Sequence, residues 1–258
     1  MEKIAILSDV HGNLPALEAV YKDIARRRIR RIVCLGDLVG KGPQPAQTVD
    51  RIRERCEFVA QGNWEAGIAR EQELPEGKWQ QEQIGAERID YLANLPFSID
   101  LTLSGQLVRL FHASADSVFR RVLRKAPKRE KLELFANTPQ TGTPDGGRTP
   151  DVVGYGDIHL PYLLTLKPRA ADSRREKGRQ PRGRTLFNAG SVGVPYDGIA
   201  QPSYVIVEGT AGDEPAPLSI QLVRVPYDVE LAAEAARAAD MPGSERYIAE
   251  VRAGLCFK

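Results

Sequence analysis

Residues 3–7 run Lys-Ile-Ala-Ile-Leu, an apolar stretch too short for a helix and without polar alternation, so they predict a strand buried on both faces. His11-Gly12-Asn13 then turns the chain, and Leu14, Leu17, Ala19, Val20 and Ile24 recur at helical spacing, predicting a helix from 14 to about 28. Residues 32–35 predict a second buried strand, and the three glycines and two prolines between 36 and 45 make that stretch a loop. A helix over 48–55 and a strand over 58–60 follow. Strand, helix, strand, helix, strand is the pattern of a parallel α/β sheet, in which ligands bind beyond the carboxyl ends of the strands.

Farther on the pattern changes. A helical stretch over 79–94 leads to strands at 97–101 and 107–111, joined by a tight turn at Ser104-Gly105. Residues 118–135 read as a basic helix, and 137–150 as a loop. Strands are predicted at 151–154, 162–166, 185–187, 203–207 and 220–225, and helices at 229–239 and 246–253. No internal repeat interrupts this order.

The 258 residues suit one large domain or a domain with an appendage. Hydrophobic residues at 42% and charged residues at 27% are globular values and exclude a disordered or collagen-like chain. A net charge of +2 is too small for a dedicated nucleic-acid coat, so any attraction for phosphate must be local. No apolar run approaches the roughly 18 residues of a membrane span, and the first eight residues are too charged for a secretory signal; a soluble, cytoplasmic protein is expected. Three cysteines without CxxC spacing argue against a disulfide framework and a thiolate zinc site, and Cys34 reads as a small buried hydrophobe. Residues 167–184 set eight basic residues against Asp172 and Glu176, and a solvated hairpin excursion is favoured there over a substrate arm.

Candidate chemistry concentrates after the strands. His11, His112 and His159 each lie just past a predicted strand, and so do Asp9, Asp37, Asn63 and Asp157. A glycine precedes Asp37, Asn63 and Asp157, allowing a sharp exit toward a shared centre. Oxygen and imidazole donors without thiolate suit Mn²⁺, Fe, Mg²⁺ or Zn²⁺, and seven such residues are too many for one ion but right for two sharing a carboxylate. Singly, Asp9 or Asn63 reads better as a helix cap or turn former. Their common placement at strand ends is what points to a metal centre.

The ordered set Asp9-x-His11, Gly36-Asp37, Gly62-Asn63, His112 and Gly156-x-x-His159 resembles the calcineurin-like metallophosphoesterase superfamily. Residues 188–193, Asn-Ala-Gly-Ser-Val-Gly, with Pro195 and Asp197-Gly198, resemble a bacterial phosphodiesterase branch of it. The resemblance implies a four-layer α-β-β-α sandwich over 1–225, two mixed sheets flanked by helices, with 226–258 as a helical appendage packed on the same domain. It implies that Asp9, His11, Asp37 and His159 hold one divalent ion. Asp37 then bridges to a second, held also by Asn63, His112 and Asp157. Mn²⁺ is the first choice, with Fe, Zn²⁺, Mg²⁺ or Ni²⁺ as alternatives. The implied activity is hydrolysis of a phosphate ester, phosphodiesters or nucleotides favoured, by a hydroxide shared between the ions attacking phosphorus in line, with Asp37, Asn63 and His112 as catalytic residues.

The chain departs from that pattern at three places. Asp157 stands where family members usually carry histidine: still a ligand for a hard cation, but shorter and adding negative charge. Trp64 stands where many members carry a histidine that protonates the leaving oxygen; an indole cannot do so, and packing against the rim is its expected role. Ala189 replaces a proline. Asp157 and Trp64 also keep a second reading open, a metal-binding regulatory protein of the same fold with weakened turnover. A third reading, a nucleic-acid-binding module using the basic segments, has only composition behind it.

Overall fold

Alternate side chains of β1 (Glu2–Leu7) enter two different hydrophobic layers, Ile4 and Ile6 on one side and Ala5 and Leu7 on the other, which is why this stretch reads as an unbroken apolar run. The computed structural model describes residues 1–167 and 183–257. In it β1 is the centre of a five-stranded sheet: β2 (Arg31–Cys34) and then β3 (Phe58–Val59) lie parallel on one side, β9 (Ser203–Gly209) antiparallel on the other, with β10 (Ser219–Arg224) beyond it. The second sheet runs β4 (Ser98–Leu103), β5 (Gln106–Phe111), β6 (Val152–Tyr155), β8 (Arg184–Asn188), β7 (Tyr162–Leu166). Its three central strands are parallel and its two edges antiparallel.

Ile6, Val33 and Val205 of the first sheet meet Val108, Leu110 and Phe187 of the second across an apolar layer. Helices α1 (Leu14–Arg26) and α2 (Pro45–Arg55) cover the first sheet's outer face with Leu17, Val20, Ile24, Val49 and Ile52. On the second sheet's outer face, Phe111, Val153, Tyr155 and Leu186 pack with Val122, Leu134 and Phe135. The fold is thus α/β, two mixed sheets flanked by helices, as the motifs implied. The last helices, α7 (Val229–Ala238) and α8 (Ser244–Ala253), bury Ala233, Ala236, Ile248 and Val251 against Val194.

Three stretches differ from the sequence expectation. The predicted helix over 79–94 is two helices, α4 (Pro75–Ile84) and α5 (Ala86–Ala93), broken at Gly85, whose φ of 76° no helix accepts. The basic helix expected over 118–135 shrinks to α6 (Lys128–Glu133). Pro127 bars helical backbone just before it, and the Val122 carbonyl accepts a hydrogen bond from the Tyr155 hydroxyl (2.8 Å), so tertiary partners take the place of helical ones. An unpredicted short helix, α3 (Asn63–Ile68), begins at the candidate ligand Asn63. Of the basic excursion at 167–184, residues 168–182 lie outside the described residues.

Candidate metal centre

The parallel strands of both sheets end at one place. Asp9 and His11 follow β1, Asp37 follows β2, Asn63 opens α3 after β3, His112 follows β5 directly, and Asp157 and His159 follow β6. Five of these residues have left-handed backbone: Asp9 (φ 55°), His11 (49°), Asp37 (54°), Asp157 (63°) and His159 (57°). Such conformations cost on the order of 1–3 kcal/mol each in non-glycine residues and persist only where the surroundings enforce them. Here the loops hold one another. Asp9 N–H donates to the Gly36 carbonyl (3.0 Å), His11 N–H to Asp37 (2.9 Å) and Gly193 N–H to Asp9 (2.9 Å). Ser191 Oγ donates to the Asp9 carbonyl (2.7 Å), and Asn188 Nδ2 to the Gly156 carbonyl (2.5 Å). The Asn188–Gly193 motif therefore acts as a brace for the Asp9 and Asp157 loops.

Of the three preceding glycines, Gly36 takes the left-handed backbone that the sharp exit calls for, with a φ of 95°, and the other two serve a different purpose. At Gly62 and Gly156 the φ angle is not left-handed; what excludes a side chain is space. A Cβ on Gly62 would collide with Asp37 Oδ1, and one on Gly156 with Ser8 Oγ and Asp9 Oδ2.

All three histidines present Nε2 to the centre because each Nδ1 faces a backbone carbonyl: His11 to Val39 (2.9 Å), His112 to Leu35 (3.0 Å) and His159 to Val194 (2.5 Å). His11 Nε2 and His159 Nε2 lie 3.2 Å apart, and Asp9 Oδ1 is 3.1 Å from the latter. Asp9 Oδ1 is fully buried and, among the described residues, has no hydrogen-bond donor. Two opposed imidazole nitrogens beside a buried carboxylate oxygen are the donor types a divalent cation takes, so the residues present fit a metal. Asp9, His11 and His159 form one group of ligand atoms lying within 4.8 Å of one another, and Asp9, Asp37 and His112 form another. Asp37 Oδ2 is 3.6 Å from His11 Nε2 and 3.4 Å from His112 Nε2, between the two groups, and Asn63 Oδ1 is 3.0 Å from His112 Nε2.

The electrostatics of these side chains follow from this crowding. Burial opposes ionisation of Asp9, but the surrounding histidines, His159 foremost, outweigh it and hold the carboxyl well below its usual range. Burial, with His159 and Lys41 nearby, pushes His11 down toward the neutral ring. Burial also opposes a charge on His112, yet Asp37, Asp9 and Asp157 raise it to about 10.

Six of the seven expected residues thus converge. Asp157 stands at the margin, its Oδ1 3.9 Å from His112 Nε2, and both its oxygens receive hydrogen bonds from Arg121, each at 3.0 Å. Trp64 packs on the Gly40 backbone with its ring edge-on to His11, a rim position as expected. A cavity of about 360 Å³ opens above the cluster, walled also by Lys41, Arg121 and Tyr196. A larger groove of about 450 Å³ between α1 and α7 is lined by Pro15, Ala19 and Leu231 and lies away from these donors.

Sequence reasoning missed four contributors. Glu65 is fully buried and accepts from the backbone N–H of Asp37 (2.6 Å), Leu38 (2.8 Å) and Gly62 (2.8 Å), clamping the Asp37 loop to α3. Burial and the neighbouring Asp37 charge push Glu65 up to about 7 against those donors. Its place two residues after Asn63, in the first turn of a helix, was its only signal. Tyr196 stacks on His159 at 4.4 Å, and Lys41 lies near the Tyr196 ring. Arg121 was counted only as part of a basic stretch.

An α/β sandwich that gathers carboxylates and imidazoles where its parallel strands end defines a class of proteins built to hold divalent cations. Within that class the chain belongs to the calcineurin-like phosphoesterase superfamily, whose domain profile matches residues 2–212. It is 30% identical over 245 residues to the uncharacterized protein MJ0912 of Methanocaldococcus jannaschii, covering 90% of each chain. It is 26% identical over 203 residues to phosphodiesterase YfcE of Escherichia coli, covering 77% of this chain and 83% of that one. Among solved structures, a metallophosphoesterase from Sphaerobacter thermophilus superposes with a TM-score of 0.75 at 25% identity, over 98% of this chain and all of that one.

Proposed function

We propose that the protein is a dinuclear metal-dependent phosphodiesterase acting on compact phosphodiesters or nucleotides. The observation that carries this reading is the cluster of inward-turned His11, His112 and His159 nitrogens around the buried Asp9 Oδ1 and the Asp37 carboxylate. Asp9, His11, Asp37 and His159 would hold one ion and Asp37, Asn63 and His112 the other, Mn²⁺ suiting these oxygen and nitrogen donors. Bound divalent ions supply a nucleophile from water at neutral pH and neutralise phosphoryl oxygens. The chain's own residues orient that chemistry: backbone carbonyls fix the ring nitrogens, and Glu65 fixes the Asp37 loop. A cavity of about 360 Å³, near the small end of ligand pockets, suits a compact ester. The similarity to a protein named as a phosphodiesterase supports diesters.

The test is hydrolysis of an aryl phosphodiester by the Mn²⁺-loaded protein alongside its metal content. Asp37→Ala is expected to reduce turnover to background and to lower bound metal, with Asp37→Asn nearly as damaging. Near wild-type turnover and unchanged metal in Asp37→Ala would overturn the dinuclear reading. Full metal content with no turnover on any ester would favour the regulatory alternative, toward which the engaged Asp157 and the Trp64 rim point.

A further inference from the structure

Arg121 and Asp157 form a side-on pair, Nε to Oδ2 and Nη2 to Oδ1, each 3.0 Å. The carboxylate is almost fully buried, its side chain 4% exposed, whereas the Arg121 side chain is 59% exposed and forms part of the cavity wall beside Asp37, Asn63 and Trp64. Among the described residues, Arg121 Nη1 makes no hydrogen bond. Asp157 lies outside both groups of converging ligand atoms, and its backbone N–H donates to Asp9 Oδ2 (3.1 Å), which anchors the loop without bringing its carboxylate into either group.

These facts share one physical account. A buried carboxylate needs a partner, and a bidentate guanidinium supplies the best geometric match. The pair sums to zero charge, so the site carries no excess negative charge from Asp157. An arginine already fixed along one edge has lost much of its rotamer freedom before substrate arrives, and its remaining N–H groups present a planar donor edge suited to two oxygens of a phosphoryl group. We propose that Arg121 binds the non-bridging phosphoryl oxygens of the substrate, and that Asp157 is the positioning residue that holds it there rather than a ligand of the second ion. The inference rests on the phosphoesterase reading of this cavity.

Inorganic phosphate is the probe, titrated calorimetrically into the Mn²⁺-loaded full chain, with manganese per chain measured in parallel. Arg121→Met should weaken phosphate binding about 10- to 100-fold, and Arg121→Lys, which keeps the charge but loses the fork, by less. Asp157→Asn should weaken it as well, and the double variant should bind no more weakly than Arg121→Met alone, because Asp157 acts through Arg121. Manganese content should be unchanged in every variant. Wild-type affinity in Arg121→Met, absence of phosphate binding by the wild type, or loss of one manganese from Asp157→Asn would each overturn the proposal. Turnover of the aryl phosphodiester is a separate readout: Arg121-dependent phosphate binding without turnover would retain this inference while removing the enzymatic reading.

Discussion

His112 sets the pH response of the site. Burial disfavours its charge, but Asp37, Asp9 and Asp157 raise its folded value to about 10 from 6.5. A group raised on folding contributes stability that is fully present below its unfolded value and lost as pH climbs through the folded one, so this contribution fades toward pH 10. A metal held by His112 as proposed would have to displace that proton from Nε2. Manganese uptake at pH 7 should therefore release about one proton per chain and tighten as pH rises, as calorimetry in buffers of different ionisation enthalpy will show. Trp64 makes a second prediction at this scale. With no proton donor at position 64, the proposed reaction would expel the leaving oxygen as an anion or rely on water or metal, and a missing general acid typically costs about 10² to 10⁴ in rate. Across a leaving-group series kcat/KM should fall steeply as leaving-group pKa rises; a flat profile with chemistry rate-limiting would mean that another residue supplies the proton.

At the scale of elements, the site depends on loops that approach more closely than a methyl group allows. Gly156→Ala forces a Cβ onto Ser8 Oγ and Asp9 Oδ2, while leaving every candidate ligand chemically intact. Overpacking of this kind costs about 1–3 kcal/mol, so Tm should fall by roughly 2–12 °C and metal affinity should drop with it. The buried strands and their flanking helices were legible because their patterns are local: β1 and β7 were expected within a residue of where they lie. Residues 118–127 were not, because their fate rests on distant partners, the Tyr155 hydroxyl for Val122 and the Asp157 carboxylate for Arg121. Helical composition there loses to tertiary contacts.

At the scale of the whole molecule, the C-terminal helices reach the site. Tyr196, stacked on His159, donates its hydroxyl to Glu250 Oε2 on α8 at 3.1 Å. Glu250 is buried and also accepts from Arg246 Nε and Phe257 N–H. Removing it takes the acceptor from the half-buried Tyr196 hydroxyl, while Arg246 and Phe257 can turn to solvent, a loss of about 0.5–1.5 kcal/mol, so Glu250→Ala should lower Tm by roughly 1–6 °C. It should also raise KM without changing metal content, and Tyr196→Phe, which keeps the stacked ring but loses the same hydrogen bond, should raise KM by a similar factor. An unaltered KM in Glu250→Ala would confine α8 to a structural role.

Local order along the chain was enough to determine an α/β fold and a strand-end set that includes the six converging residues, while the two-sheet sandwich rested on the family resemblance; strand periodicity and strand-end placement are properties of neighbours in sequence: Asp9 and His11 must follow β1 wherever β1 goes. The tertiary structure alone decided what those residues face. Which ring nitrogen points inward depends on the carbonyls of Val39, Leu35 and Val194, 28, 77 and 35 residues away. Arg121 meets Asp157 across 36 residues, and Tyr196 meets Glu250 across 54. Hydrogen bonds and charges act through space at a few ångströms, so partners this distant in sequence become visible only when the two sheets close and bring their strand ends together.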